Sequence, residues 1–413
     1  MKFKAPRGTY DILPSESWKW QHLTDVFRRT AALFGFEEIV TPVLEQSDLF
    51  ERSSGESSDI VQKEMYRFQD RKGRTLALRP EGTAPVVRSF CEHHLDAAAR
   101  LTRLYYIGPM FRYDRPQAGR YRQFYQYGVE LIGSHNPYYD AEIIAFECAF
   151  LQNLGFNDYE LHINSVGCPC CVPDYEAALS AYFQPLKDEL CEDCQTRLIK
   201  NPRRILDCKI AHCRDLSRSA PVILDHLDED CRQHFSEVKS YLDNIGIAYT
   251  IDPRIVRGLD YYTHTAFEFI YPALGAQNTI AGGGRYNGLI EQVGGRSIPA
   301  VGIAGGFERL LLALERQSAD LGSRPALDIT LITIGETAQK MAPQLIHYLR
   351  QTGCSTIWDP EKPSLKAAFK AADAQKSRYA YIIGDDEIAQ LKITRKDMIA
   401  GTQDQIDWPD SSL

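Results

Sequence analysis

Apolar positions near the N-terminus recur with a helical period: Leu23, Val26, Phe27 and Phe34 fall at i, i+3, i+4 and i+11. Gly35 stands where a left-handed residue ends such a helix, so the pattern predicts one helix opening near Ser15. Beyond it, Glu38-Ile39-Val40-Thr41 reads as a strand running into Pro42, and a residue without an amide hydrogen belongs at a strand's end or edge. Residues 101–132 then predict two strands paired antiparallel around the loop Asp114-Arg115-Pro116-Gln117-Ala118-Gly119-Arg120. In the second of these, Tyr125, Tyr127, Val129 and Leu131 share one face, which is core. Phe124, Gln126, Gly128 and Glu130 share the other, a candidate pocket wall. Residues 259–268 alternate in the same way and set Asp260, Tyr262, His264 and Glu268 on one side.

The texture changes at Ser318-Ala319-Asp320-Leu321-Gly322-Ser323-Arg324-Pro325, which reads as a linker. After it, residues 329–334, 337–351, 355–358, 364–375 and 379–383 read β-α-β-α-β, and a small α/β domain is the natural packing of that alternation. At 413 residues the chain exceeds what one hydrophobic core usually serves, so two or three domains are expected. Lys2, Lys4, Arg7 and Asp11 interrupt the first thirty residues, and no apolar run approaches the roughly 20 residues that span a bilayer. A cytoplasmic chain with no membrane partner is the expectation. A net charge of −8 gives no global attraction to nucleic acid, so any such partner must be met by a local basic patch.

Five segments place charge, hydroxyl or glycine where folding alone does not ask for them. In Leu78-Arg79-Pro80-Glu81-Gly82-Thr83, Glu81 can hold an ammonium group and Thr83 add a hydrogen bond; the alternative is a surface turn with a helix-capping threonine. Arg112 can point at a phosphate, and Arg115, Arg120 and Arg122 make the next loop basic enough to touch an RNA end, unless they are only a solvated charge cluster. In Arg257-Gly258-Leu259-Asp260-Tyr261-Tyr262, glycine allows close approach beside Arg257, while Tyr262 offers a ring and a hydroxyl to a small aromatic ligand. Ala281-Gly282-Gly283-Gly284-Arg285-Tyr286 lacks the spacing of a dinucleotide fingerprint and reads as a glycine wall for a ligand, or a glycine-rich hairpin. Gly305-Gly306-Phe307-Glu308-Arg309 opens an apolar helix with Arg309 on its first turns, in reach of a nucleotide.

In order and spacing these segments resemble histidyl-tRNA synthetases over nearly the whole chain. Arg7-Gly8-Thr9-Tyr10-Asp11 is similar to the family's start, the stretch from Phe36 to Pro42 to class II motif 1, that from Arg112 to Glu130 to motif 2, and that from Gly306 to Leu310 to motif 3. Arg257-Gly258-Leu259-Asp260-Tyr261-Tyr262 and Gly283-Gly284-Arg285-Tyr286 look like the two histidine-specific motifs. Asn287 and Asp114 depart from the pattern, standing where an acid and a glutamate are usual.

The resemblance implies an α+β catalytic domain, an antiparallel sheet flanked by helices, over residues 1–317. A Cys-rich inserted segment would interrupt it at about 165–225, and a linker at 318–327 would lead to an anticodon-binding α/β domain at 328–413. It implies activation of L-histidine with ATP and Mg2+, transfer to tRNA(His), and a homodimer built through the motif 1 region. Glu81 and Thr83, with Gln126 nearby, would hold the α-amino group; Glu130, Tyr262 and Tyr286 would surround the imidazole. Arg112 would contact the α-phosphate and Arg309 the far phosphates or the adenine face, while Arg257 would stabilise charge developing on the α-phosphorus. The rivals are a regulatory subunit of short ATP phosphoribosyltransferases, which binds histidine without ATP chemistry, and a zinc-dependent RNA-binding protein with a decayed core.

Eleven cysteines without a secretion signal are expected to be thiols or metal ligands, and seven lie between Cys168 and Cys213. Cys168 with Cys171 and Cys191 with Cys194 form two C-x2-C pairs at zinc-site separation, leaving Cys208 and Cys213 as spares; reduced thiols in a small insertion are the alternative. Of these assignments, that of Arg257 is the sharpest. Arg257→Ala is expected to abolish histidine-dependent ATP–pyrophosphate exchange while histidine still binds, and retained exchange would remove Arg257 from the chemistry.

Overall fold

The computed structural model describes residues 3–55, 58, 60–256, 259–275, 278–361 and 364–409. The chain divides into two compact units, Met1–Leu321 and Gly322–Leu413. In chain order the strands of the first are β1 (Glu37–Glu38), β2 (Leu44–Gln46), β3 (Arg67–Gln69), β4 (Thr75–Leu78), β5 (Thr102–Phe111), β6 (Gln123–Ile132), β7 (Glu160–Ser165), β8 (Thr250–Ile251), β9 (Thr263–Ile270), β10 (Thr279–Arg285) and β11 (Ala300–Gly306). Eight form one sheet in the order β1-β5-β6-β11-β10-β9-β7-β8, antiparallel except for the parallel pairs β1–β5 and β7–β8 at its edges. A second sheet, β2-β4-β3, leads into the site.

Helix α1 (Ser17–Leu33) forms where the periodicity asks, buries Leu23, Val26 and Phe27, and gives way to Gly35 at φ 72°. The strands expected between residues 101 and 132 are β5 and β6, paired antiparallel. Tyr127, Val129 and Leu131 enter the main core with Phe27, Phe146 and Phe150, while Gln126 and Glu130 are buried on the opposite face. The core face carries one acid of its own: the Tyr127 hydroxyl donates to Glu147 at 2.7 Å, and burial pushes that carboxyl up to about 8.

Two strand expectations need correction. The one placed at Glu38-Ile39-Val40-Thr41 is only the two-residue β1; the Ile39 amide still donates to the Tyr105 carbonyl, but Val40 is exposed and the chain leaves the sheet edge before Pro42. The alternation read through 259–268 begins only at Thr263, and His264 sits at φ 55°. A left-handed residue breaks the two-residue repeat, so Asp260 and Tyr262 belong to the approach loop and do not share a strand face with Glu268.

Between β7 and β8 the chain is helical throughout: α2 (Ser47–Ser54), α3 (Thr83–Glu92) and α4 (Tyr138–Asn153) precede this stretch, which holds α5 (Val172–Phe183), α6 (Glu192–Lys200), α7 (Ala211–Leu216) and α8 (Glu229–Asn244). Two further helices, α9 (Leu289–Gln292) and α10 (Phe307–Gln317), complete the unit.

The second unit has the expected alternation: β12 (Ile329–Thr333), α11 (Glu336–Gln351), β13 (Thr356–Trp358), α12 (Leu365–Ala374) and β14 (Tyr379–Ile383), with Ser364 capping α12. Its sheet, ordered β13-β12-β14-β15-β16, adds α13 (Asp385–Ala389) and an antiparallel pair, β15 (Lys392–Asp397) and β16 (Gln403–Asp407), that the polar composition of those segments conceals. No helix among the described residues is long and apolar enough to cross a membrane.

The first unit is pinned by a fully buried ion pair. Arg285, at the end of β10, binds Asp140 on α4 through Nε at 3.1 Å and through Nη2, and gives Nη1 to the Ser134 carbonyl at 2.7 Å. Burial opposes the charge on Asp140, but Arg285 and His234 outweigh it and hold the carboxyl well below the usual range. Its stabilisation is therefore present above the unfolded carboxylate pKa and lost as pH falls through the folded one. Asp140→Ala, which strands the guanidinium, is expected to cost about 3–5 kcal/mol at pH 7, read as a lowered urea midpoint for the first unit.

Candidate functional site

The site forms where the turn after β4 meets the polar face of β6. Glu130 is 1 % exposed. Its Oε1 accepts from the Thr83 hydroxyl at 2.7 Å and its Oε2 from the Tyr286 hydroxyl at 2.5 Å. Burial pushes its carboxyl up to about 8 even though both hydroxyls favour the anion. Room for it comes from β11, where Gly302 faces Glu130 in register and a Cβ would overlap the carboxylate and lie 2.6 Å from the Val129 carbonyl.

Thr83 is the first residue of α3, but it does not cap the helix. Glu81 does, accepting from the Thr83 amide at 2.6 Å and the Ala84 amide at 2.9 Å. A carboxylate on a helix N-terminus is favoured by the unpaired amides, yet burial still raises the Glu81 pKa, so this acid lacks a full counter-charge. Gln126 orients the same turn, its Oε1 accepting from the Gly82 amide at 2.9 Å.

Aromatic rings close the pocket. Tyr261 lies 5.7 Å from Tyr286 and 4.7 Å from Tyr262, ring centre to ring centre. A Cβ on Gly284 would come within 2.8 Å of the Tyr262 ring, so the glycine wall of β10 receives Tyr262 itself. Tyr106, buried on β5, packs against Gly82 and Gly128, neither of which leaves room for a Cβ.

A basic group adjoins the acids. Arg112 donates Nε to the Pro80 carbonyl at 2.8 Å and stands 5.3 Å from the Phe124 ring centre; its guanidinium makes no ion pair among the described residues. Burial lowers the pKa of Arg112 and pushes that of Arg309, on the first turn of α10, down to about 10; Arg120 adds like-charge repulsion to both. Glu64 and Glu81 attract the Arg112 guanidinium and partly offset that repulsion. The loop arginines divide: Arg115 and Arg120 are exposed, with Arg120 paired to Asp114 at 2.9 Å, whereas Arg122 is half-buried 3.8 Å from the Tyr113 ring centre, its amide bonded to the Gly8 carbonyl. Arg257 and Gly258 lie outside the described residues.

Reading residues singly missed several members. Tyr106 was legible once β5 and β6 are set in register, since it faces Gly128. Glu308 left no pattern; its carboxylate accepts from the Tyr125 amide at 2.9 Å and the Tyr10 hydroxyl at 3.1 Å, and burial pushes it up to about 7. The cysteines also differ from expectation. Cys168, Cys171, Cys191 and Cys194 do not meet at one point: the first two join Asp228 and Cys231, the last two join the supposed spares Cys208 and Cys213. Each set has its ligand atoms within 4.8 Å of one another. Spacing alone favoured pairing the two C-x2-C units, whereas the fold pairs each with residues further along the chain.

Comparison with known proteins gives the family. The family model described as histidyl-tRNA synthetase matches residues 8–190 and 209–310, and an anticodon binding domain matches 328–411. The histidine–tRNA ligase of Halothermothrix orenii is 50% identical over 406 residues, 98% of this chain and 97% of that protein. That of Bacillus subtilis is 48% identical over 409 residues, 98% and 96% of the two chains. Among solved structures, apo histidyl-tRNA synthetase of S. aureus is similar with a TM-score of 0.84 at 41% identity, covering 98% of this chain and 97% of its own. With a family model matched over most of its length and relatives about half identical end to end, this chain belongs to the histidyl-tRNA synthetase family.

Proposed function

We propose that the chain is a histidine–tRNA ligase, which activates L-histidine with ATP to histidyl-adenylate and pyrophosphate and then transfers histidine to the 3′ end of tRNA(His). The observation that carries this reading is Glu130, a buried acid held between Thr83 and Tyr286 in a tyrosine-lined pocket. An imidazole N–H meets such an acceptor; an apolar competitor leaves it unpaired at a cost of about 1–3 kcal/mol. Glu81, fixed on the α3 N-terminus, takes the α-ammonium with Thr83 and Gln126, and Tyr262 and Tyr286 flank the ring.

The attacking group is the histidine carboxylate, already an anion, so the protein supplies position and charge and no general base. Arg112 meets the α-phosphate, Arg309 the far phosphates or the adenine face, and Arg257 the charge that grows at the α-phosphorus. Magnesium on the phosphates supplies the remaining charge balance. Arg115 and Arg120, exposed on the loop, meet the tRNA acceptor end; Arg122 serves mainly to hold Gly8 and Tyr113 in place. The second unit takes the anticodon. A homodimer and a cytoplasmic location belong to the same reading.

ATP–pyrophosphate exchange with magnesium is expected with L-histidine and with no other amino acid. No exchange despite histidine binding would instead favour the regulatory-subunit reading. Glu130→Gln is expected to lower histidine-dependent exchange by about 5- to 150-fold, the equivalent of one lost buried partner. It should also stabilise the ligand-free protein. A carboxyl raised from its unfolded value to about 8 costs stability as pH climbs between the two, so the variant's gain in Tm should be absent near pH 4, grow toward pH 8 and then level off.

A further inference from the structure

The inserted stretch from Val172 to Leu227 has no strand among its described elements, only short helices and turns. Of the fourteen buried apolar residues in its cluster, five are cysteines: Cys171, Cys194, Cys208, Cys213 and Cys231. So small a core, with cysteine at five of its fourteen positions, gains from a cross-link that holds one arrangement.

We propose that this segment binds two structural zinc ions, one by Cys191, Cys194, Cys208 and Cys213, the other by Cys168, Cys171, Asp228 and Cys231. The proposal is independent of the ligase reading. Zinc–sulfur bonds of about 2.3 Å set tetrahedral sulfur–sulfur edges of about 3.8 Å. The sulfurs of Cys191 and Cys208 lie 3.9 Å apart and those of Cys168 and Cys171 3.6 Å apart. Backbone amides point at the sulfurs, as thiolate ligands require: Cys170 N to Cys168 Sγ at 3.3 Å, Asp228 N to Cys171 Sγ at 3.2 Å, and Cys191 N to Cys213 Sγ at 3.3 Å. Cysteines serving only as small apolar filler have no reason to converge as a set of four and a set of three beside a carboxylate.

The two sites do different work. Four thiolates close the first within the insertion. The second sits at the base, where the chain leaves β7 just before Cys168 and rejoins the main core through α8, whose Phe235, Val238 and Leu242 pack there. Asp228 uses Oδ1 to cap α8 at the Cys231 amide, 2.8 Å away, and keeps Oδ2 for the ion, 3.0 Å from Cys168 Sγ. An ion here fastens both ends of the insertion together beside β9, to which Val166 and Gly167 are bonded through the backbone of His264 at 2.7 Å.

The test is metal content of untagged full-length protein, purified without added zinc or chelator. Two zinc ions per chain are expected. Cys191→Ser/Cys208→Ser and Cys168→Ser/Cys231→Ser should each retain one, and cobalt in the first variant should absorb as a three-thiolate site, in the second as a four-thiolate site. Zero or one zinc in the wild type, iron in place of zinc, or loss of both ions from either pair would overturn the assignment. Should the variants aggregate, alkylation of the wild type decides: only exposed Cys170 of the segment's cysteines should react before a chelator is added, and the seven cysteine ligands after it. Prompt alkylation of the clusters would sink the proposal.

Discussion

A carboxylate buried in the middle of an antiparallel sheet governs much of what surrounds it. Left bare, Glu130 would cost several kilocalories, so its neighbours are chosen to satisfy it: two hydroxyls donate to it, and its ring neighbours are tyrosines that combine apolar bulk with a polar end. The same demand reaches backwards in the chain. Thr83 reaches Glu130 because Glu81, not Thr83, caps α3, and the turn holding both is fixed by Gln126, two residues along β6 from Gly128. The first helical turn, the strand and the pocket are in this way one hydrogen-bonded unit.

Charge is arranged in two zones along this unit. The acids Glu81 and Glu130 lie deep, where burial raises both, while burial lowers Arg112 and Arg309, each also repelled by Arg120, and Glu64 and Glu81 attract Arg112. Burial thus opposes charge of both signs here. In the reading proposed above, a ligand with an ammonium and an imidazole at one end and phosphates at the other meets both kinds of group at once.

Much of this was legible in the sequence because strand alternation translates directly into faces: Gln126 and Glu130 separate from Tyr127, Val129 and Leu131 by position alone. What stayed hidden depends on distant partners. Alternation through Asp260 and Tyr262 looked continuous, but one left-handed residue, His264, interrupts it. C-x2-C spacing located the metal-ligand types without saying which pairs meet, since that depends on how α8 returns to the core. Glu308 gave no signal because its donors, the Tyr125 amide and the Tyr10 hydroxyl, come from elsewhere in the chain.

Gly302 shows how far such dependence extends. A Cβ at this position would fall where the Glu130 carboxylate lies. Every mutation away from glycine adds at least one carbon there, so random drift at this position is filtered during folding, before any amino acid is encountered. If Glu130 reads the imidazole as proposed, choice of substrate is inherited through a neighbour that offers no side chain at all.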